Sequence, residues 1–528
     1  MNELELKLRL PEDGRERLLA DLRRGQVERV RLAARYFDTS DWLLARHAIA
    51  LRLRREGRHW VQTLKAAGES VVERLEHNAD AGFAKGGVTP ALDISLHDGT
   101  PVGERLKALV QEAAADGTEP VLVEMYATDV VRTLRELRAN GGRVEVAFDE
   151  GTILAGARQR PVCELELELK AGRPDALFSL AERWLVRHRL WLDVVPKSER
   201  GRLLATGHDA LDAVRAQAPR LDRAMDGEAL LRAVVASCLA QVLPNASEVA
   251  AGSQDEEHVH QLRVGIRRLR TALRELGEFS SAVNADWEPP LVEAFRALGG
   301  IRDQQAIARS IEPELAAAGA PDPSWPATAG TRESPADLVR DASFQQVLLA
   351  LLAFVHRSPD ADPTSNAPAT NAAGPADADS NVGSNDGSTS GGDGVHQVLR
   401  RRLKRLHRSV ERDGARFDKL APEEQHRTRK RLKRLRYLAE FVTSLFDSRD
   451  VRRYLARLKP AQDALGKLND HAVALQVYRD AAAHHAPAWF AVGWLTARRD
   501  GLVQACKRAL DDAADAPRFW RKGKRKSG

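Results

Sequence analysis

Through its first two hundred residues the chain alternates apolar and charged side chains with a period of two. In the opening stretch Leu4, Leu6, Leu8 and Leu10 alternate with Glu3, Glu5, Lys7 and Arg9, and in a β-strand such neighbours point to opposite faces. The pattern returns at Leu51 and Leu53 against Arg52 and Arg54, and at Val144, Val146 and Phe148 against Arg143, Glu145 and Asp149. It appears again at Cys163, Leu165, Leu167 and Leu169 against Glu164, Glu166, Glu168 and Lys170. Gly and Pro punctuate these segments, which predicts a domain of short strands over residues 1–204. From about residue 225 the pattern changes to long helices rich in Leu, Ala and Arg, so residues 205–224 read as a linker.

The helical part repeats itself. His260, Arg263, Arg267 and Arg270 align with His426, Arg429, Lys433 and Arg436 at a constant offset of 166 residues, and Ala297 to Asp303 (ALGGIRD) answers Ala464 to Asp470 (ALGKLND). Two helical bundles of similar design, 225–357 and 395–520, account for this. Between them, residues 358–394 are rich in Pro, Gly, Ser, Asn and Asp and predict a disordered insertion. Residues 521–528 form a basic tail.

Composition narrows the class. A chain of 528 residues, 43% of them apolar, is long enough for two or three cores. Three widely separated cysteines, Cys163, Cys238 and Cys506, argue against a disulfide framework or a zinc site and fit a reducing cytoplasm. The first residues are charged, and the longest uninterrupted apolar run, near Val347 to Val355, is short of a membrane span, so neither export nor insertion is expected. The net charge is only +6, but the basic residues are clustered, and clustering decides whether polyanions are attracted.

A solvated face is the ordinary explanation of any one alternating strand. Four such strands with acids and bases largely sorted between them point instead to an enclosed site. Carboxylates on one wall hold hard cations and cations on another clamp phosphates, while glutamates gathered together repel unless divalent ions lie between them. Ser198 and Cys163 lack a local His partner and read as structural.

Nine segments in order are similar to the motifs of the CYTH superfamily: Glu3-x-Glu5-x-Lys7, Tyr36-Phe37-Asp38-Thr39, Leu51 to Arg54, Thr63-Leu64-Lys65, Arg74-x-Glu76, Thr128-Asp129 to Arg132, Phe148-Asp149 to Gly151, Cys163 to Lys170, and Lys197 to Gly201. The resemblance implies an eight-stranded antiparallel barrel, the triphosphate tunnel, that uses Mg2+ or Mn2+. By motif it implies Glu3, Glu5, Glu164, Glu166 and Glu168 as metal ligands with Asp149 nearby. It further implies Lys7, Arg52, Arg54, Lys65, Arg74, Arg132 and Lys197 as phosphate ligands, with Glu76 beside Arg74 in the same motif. Glu3, Glu5, Lys7 and Asp149 form the implied catalytic set.

On a helix, His260, Arg263, Arg267, Arg270 and Arg274 share a sector of about 80° opposite Leu262, Leu269, Leu273 and Leu276. A solvated face is again the simpler reading of one helix, and its repetition favours a phosphate-binding stripe. Metal binding is a weaker alternative, since neither histidine has a carboxylate or second histidine at i+3 or i+4. These helices resemble the CHAD domain, which implies two pseudo-symmetric four-helix bundles that bind inorganic polyphosphate through His260, Arg263, Arg267, Arg270, His426, Arg429, Lys433 and Arg436. Asn469 replaces the Arg302 of the first repeat, which weakens the expected grip of the second half. Nucleic acid is not favoured, because no recognition helix or aromatic stacking motif accompanies the arginines.

The fold expected is therefore α+β and multidomain. A CYTH domain followed by a CHAD domain resembles bacterial inorganic triphosphatases, which implies cleavage of tripolyphosphate to pyrophosphate and phosphate. Thiamine or nucleoside triphosphatases, class IV adenylate cyclases and a non-catalytic polyphosphate-binding protein are the alternatives.

Overall fold

The computed structural model describes residues 2–68, 70–83, 89–114, 120–326, 334–357 and 392–521. Strands β1 (Asn2–Arg9), β2 (Glu28–Asp38), β3 (Ile49–Glu56), β4 (His59–Ala67), β5 (Glu73–Phe83), β6 (Val123–Ala139), β7 (Gly142–Ala155) and β8 (Arg158–Ala171) pair antiparallel in the order β5-β4-β3-β2-β6-β7-β8-β1. A further ladder, Asn2 to Leu4 against Leu75 to Glu73, joins β1 to β5. It closes the sheet into the expected eight-stranded barrel and removes both edges. A two-residue β9 (Trp191–Leu192) pairs with Leu8 and Arg9 at the end of β1.

Alternation along each strand assigns the faces. Glu3, Glu5, Lys7, Arg52, Arg54, Asp149 and Glu166 line the lumen. Leu6, Leu8, Val144, Val146, Phe148, Leu165 and Leu167 point outward and are fully buried. Such a barrel needs an outer apolar layer, and helices supply it. The outward leucines share one core with residues of α1 (Arg15–Leu22) and α4 (Pro174–His188), while α2 (Leu43–Arg46) and α3 (Pro101–Ala113) cover β3 and β4. Each fully buried Leu or Phe in that layer contributes about 1.5–3 kcal/mol.

Helix α5 (Lys197–Thr206) packs against β6, β7 and β8. Ser198 accepts a hydrogen bond from the Tyr126 hydroxyl on its backbone carbonyl at 2.8 Å, and a Cβ at Gly201 would lie 2.1 Å from the Tyr126 ring. Glycine is therefore what lets this helix approach the barrel.

The first bundle comprises α6 (Gly227–Ala250), α7 (Glu256–Leu276), α8 (Glu288–Ala317), a short α9 (Pro335–Arg340) and α10 (Ala342–His356). The second comprises α11 (Gly392–Ala415), α12 (Pro422–Phe441), α13 (Ser448–Ala482) and α14 (Ala488–Ala514). Equivalent helices meet across the repeat, α7 against α12 and α8 against α13. Two expected boundaries shift. Residues 392–394, assigned to the insertion, begin α11, because the helix continues back to its first apolar contacts around Val395; and α5 runs past residue 204 to Thr206 before Gly207 ends it in the left-handed conformation. The expected insertion over 358–391 and the tail over 522–528 lie outside the described residues.

Helix α6 is long and apolar enough, by length and composition, to cross a membrane. Its apolar surface is occupied by packing: it contacts α7, α9, α10 and β9 and belongs to the core that continues from the outside of the barrel. The run was missed in sequence because Arg232, Gln241, Pro244 and Asn245 interrupt it. Polar contacts fix the two domains together. Leu192 N–H donates to Gln345 Oε1 at 2.8 Å, Val194 N–H to Ser247 Oγ at 3.0 Å, and the Arg340 guanidinium lies 4.6 Å above the Trp191 ring. The linker packs as well: Val214 N–H donates to Asn245 Oδ1 and the Asn245 amide donates to Val214 O.

Gly201→Ala should force α5 off Tyr126 and lower stability by about 1–3 kcal/mol, read as a shifted urea or thermal midpoint. An unchanged midpoint would show that the helix does not depend on this contact.

Candidate functional site

The lumen is a charged tunnel with an uneven circumference. Carboxylates dominate β7, β8 and β1; arginines and a lysine dominate β3 and β4, with Arg132 on β6, while β5 carries both Arg74 and Glu76. The two sets are less segregated than the sequence implied, because cations cross to the acidic wall. Arg132 grips Asp149 bidentately, with both N···O distances 2.7 Å, and also reaches Glu166. Lys197 Nζ lies 2.8 Å from Asp149 and 2.8 Å from Glu166 and contacts Glu164. Lys7 Nζ sits 3.7 Å from Glu166 and 3.9 Å from Glu5. Lys65 contacts Glu76 and lies 3.4 Å from Glu3 and 4.0 Å from Glu5. An enclosed carboxylate without a compensating cation is strongly disfavoured, so the free site pairs internally.

Titration behaviour follows. Burial raises Glu3 to about 8, with Lys65 opposing and the neighbouring Glu76 adding to the rise. Glu76 goes the other way, to about 2: burial opposes ionisation there, but Lys65, a hydrogen bond from Glu3 and Arg52 outweigh it. Glu166 stays well below the usual carboxylate range despite burial, because Lys197, Arg132 and Lys7 surround it. Burial likewise disfavours the Lys197 ammonium, and Asp149, Glu164 and Glu166 hold it protonated.

The arginines of the opposite wall are less fully compensated. Arg52 donates to the Tyr36 hydroxyl at 3.2 Å, and Arg54 pairs with Glu56 at the tunnel's far end at 2.5 Å. Their Nε atoms are buried and lack an acceptor among the described residues. Arg74 donates to the Glu73 carbonyl at 2.8 Å and has no described carboxylate within ion-pair distance; burial depresses its pKa. These groups are prepared for an anion, and bidentate guanidinium contact suits phosphate oxygens.

Asp149, Glu164 and Glu166 can each bring one oxygen within 4.8 Å of the others. This differs from the expected ligand set: Asp149 joins it, whereas Glu168 stands apart with Lys170 at 2.8 Å, and Glu3 and Glu5 gather at Lys65. The donors are all hard oxygens, and a protein ammonium already sits among them, so the residues fit a divalent cation such as Mg2+ or Mn2+.

Arg143, on the alternation of Glu145 and Asp149, faces solvent with Glu136 beyond a register shift at Arg143/Val144. The Tyr36-Phe37-Asp38-Thr39 segment has a supporting role. Tyr36 stacks on Tyr126 at 4.7 Å beneath Arg52, and Asp38 accepts hydrogen bonds from the amides of Thr39, Leu44 and Ala45, fixing the turn into α2. Glu145 and Lys170, which sequence reasoning left without a role, also line the tunnel; their alternation with Asp149 and Glu168 was the available signal.

In the helical domain the basic stripe is not a solvated face. Arg263 is 6% exposed, and the guanidinium groups of Arg263 and Arg267 lie 5.0 and 5.1 Å over Phe295 of α8. Gly299, in the ALGGIRD segment, leaves room for Arg263: a Cβ there would be 2.8 Å from Nη2, whereas the equivalent Gly466 has nothing near it. The side chains of residues 300–306, Arg302 included, lie outside the described set. From α12, Lys433 faces these arginines, and burial together with Arg267, Arg429 and Arg263 pushes it down to about 6. Arg270 and Arg436, expected in the same stripe, are drawn to Glu288 at 2.8 Å and Glu440 at 2.7 Å. His260 is half-buried; His426 is exposed at the rim, its pKa lowered by desolvation and by Lys430 and Arg429.

Burial and the neighbouring cations disfavour the Lys433 ammonium more than Asp470, which faces it, favours it. Lys433 titrates near 6 in the folded chain against its ordinary 10.5, so between those values the unfolded chain binds the extra proton. Stability should therefore fall as pH drops through that window and flatten below about 6. Lys433→Met should remove this slope, raise stability near neutral pH by about 1 kcal/mol, and weaken anion binding. A thermal midpoint lowered by the substitution would show that the lysine is not repelled in the folded state.

Comparison with known proteins gives matches over both parts. Residues 1–201 match the CYTH domain family and residues 233–479 the CHAD domain family. The inorganic triphosphatase of Haemophilus influenzae is 29% identical over 211 residues, which cover 39% of this chain and 56% of that protein. The chain thus spans about half the length of that curated relative. Among solved structures, the CHAD domain from the plant Ricinus communis is 24% identical, covering 58% of this chain and 97% of its own, with a TM-score of 0.43. A Hippeastrum protein described as an adenylyl cyclase with a dominant triphosphatase activity is 19% identical, covering 39% and 97%, with a TM-score of 0.28.

Proposed function

From a chain that is a CYTH domain joined to a CHAD domain, we propose a metal-dependent inorganic triphosphatase whose helical half binds inorganic polyphosphate. The observation that carries the first part is the tunnel's division of labour. Arg52 and Arg54 each keep a buried Nε without a described acceptor, Arg74 has no described carboxylate within ion-pair distance, and they share one lumen with a cluster of carboxylates suited to a hard cation.

Lys7, Arg52, Arg54, Lys65, Arg74, Arg132 and Lys197 bind the phosphate oxygens. Arg132, Lys197 and Lys65 would turn from carboxylate to phosphate when a triphosphate enters, and Asp149, Glu164 and Glu166, with Glu3 and Glu5, would hold Mg2+ or Mn2+. The cation supplies Lewis-acid polarisation of phosphoryl oxygens. Water attacks a terminal phosphorus as the bridging P–O bond breaks, the proton that water loses passes to a product phosphate oxygen, and the basic wall neutralises charge on the transferred group and on the pyrophosphate that leaves. Tyr36 keeps Arg52 in place for this. No covalent nucleophile is needed, in keeping with the half-buried Cys163, whose thiol burial pushes up, on the β8 alternation opposite the glutamates.

The polyphosphate reading rests on Arg263, Arg267, Arg429 and Lys433, which converge from two repeats on one cleft. It also accounts for retaining a lysine whose charged form the fold disfavours. The three cysteines are unpaired, which supports a reducing, cytoplasmic setting.

Phosphate release should be measured from tripolyphosphate, ATP and thiamine triphosphate with Mg2+ or Mn2+. Tripolyphosphate should turn over fastest, and Glu5→Gln should lower kcat at least ~100-fold, about 2.7 kcal/mol of transition-state stabilisation, while long-chain polyphosphate binding survives. Inactivity on all three substrates, with polyphosphate still bound, would leave a non-catalytic receptor. In a separate binding assay, Arg263→Ala/Arg267→Ala should weaken polyphosphate binding and flatten its salt dependence. Binding that does not change would return the stripe to a structural role.

A further inference from the structure

At the mouth where β1 ends and β5 begins, the tunnel continues beyond the strands. The cavity that holds Lys65 and Arg74 extends between the barrel and the helical domain, with Arg215, Gln217 and Arg220 of the linker and Arg232 of α6 along its walls. Its volume is about 1440 Å³, above the roughly 300–1,000 Å³ of pockets that enclose drug-sized ligands. Three phosphates do not fill it.

Two features make the outer part a chamber for a ligand. The face that α6 turns to the barrel mouth carries Ala233, Ala236, Ser237 and Ala240, so the helix roofs the space without plugging it. The chamber is also basic and under-neutralised. Arg215 and Arg220 are exposed and form no ion pair with a described residue, and Arg74, at the inner end, faces no described carboxylate within ion-pair distance. The rings at this mouth are engaged with one another: Tyr36 stacks on Tyr126 at 4.7 Å and Trp42 lies 6.4 Å from the same Tyr126 ring.

We propose that this vestibule is a subsite for the distal phosphates of linear polyphosphates longer than three units, with Arg215 and Arg220 as its cations and Arg74 at its junction with the tunnel. A chain whose reacting end lies in the tunnel extends out under α6, so the helical domain and the linker set which chain lengths the barrel accepts. This rests on the triphosphatase reading for the occupant of the tunnel, and the vestibule adds the preference for length.

Full-length protein carrying Arg263→Ala/Arg267→Ala, which removes the helical cleft as a competing site, should be compared with the same protein also carrying Arg215→Ser/Arg220→Ser. Binding of tripolyphosphate, a linear pentaphosphate and ATP is measured calorimetrically without divalent cations, and hydrolysis with Mg2+ in parallel. The pentaphosphate should bind ~10-fold more tightly than tripolyphosphate, and the linker substitutions should erase that advantage while tripolyphosphate affinity stays within about twofold. Equal affinities for the two chains, or an advantage that survives the linker substitutions, would overturn the proposal. So would ATP gaining the same linker-dependent advantage, since the chamber would then receive an organic group. If no substrate is hydrolysed yet the linker-dependent length preference persists, the subsite stands and the triphosphatase reading falls; if tripolyphosphate is hydrolysed without a length preference, only the subsite falls.

Discussion

Enclosing charge is the constraint from which the remainder of this architecture follows. A barrel whose interior side chains are Glu, Asp, Lys and Arg cannot use its lumen as a hydrophobic core, so its stability must come from the outside. That reversal explains why the outward faces of β1, β7 and β8 are continuous Leu, Val and Phe, and why α1 and α4 are packed on them. It also explains the web of internal pairs. Glu166, Asp149 and Lys197 would each be costly to enclose alone, and each meets at least two groups of opposite sign. The acidic wall is therefore a web of ion pairs in which Arg132, Lys7 and Lys197 neutralise Asp149, Glu164 and Glu166.

How much of this could be seen in the chain beforehand depended on whether the signal was local. The two-residue period marked the tunnel face of β1 and β8 directly, because side-chain direction on a strand is set by neighbours in sequence. At Arg143 the period still gives the right face, in register with Arg138, but the residue lies beyond the enclosed part of the tunnel and faces solvent, and a single strand does not record where the enclosure ends. The sorting of acids and bases into walls was legible as a tendency only. That Arg132, Lys7 and Lys197 would cross to the carboxylates depends on the barrel's closure and on α5 reaching back over the mouth. The grouping of Asp149 with Glu164 and Glu166, with Glu168 outside it, likewise follows from β7–β8 register, which pairs Asp149 with Glu164 directly.

The helical half shows the converse case. Its repeat was plain in sequence, yet repeat alone made equals of residues that the fold separates. Arg263 and Arg267 lie over Phe295 and face Lys433, whereas Arg270 and Arg436 are held by glutamates. Gly299 makes room for a guanidinium and Gly466 does not. The two bundles have thus diverged within one pattern. The basic cluster lies between them because α7 and α12, which carry equivalent basic residues, are the helices that meet across the repeat.

Helix α6 ties the two halves into one physical problem. Most of its surface must be apolar, because it packs on α7 and α10 and continues the core that begins outside the barrel. The strip facing the tunnel mouth is instead built of small residues, and the adjacent linker, which could have been a loose tether, is pinned to the same helix through Val214 and Asn245. A tether would have served if the domains merely bound similar anions side by side. Fixing the helical domain across one mouth sacrifices free access from that side, and the arrangement is consistent with a mouth whose surroundings matter to what the tunnel holds. The core that stabilises the barrel from outside thus also places basic linker residues at the end of its charged lumen, so stability and the reach of the site come from the same packing.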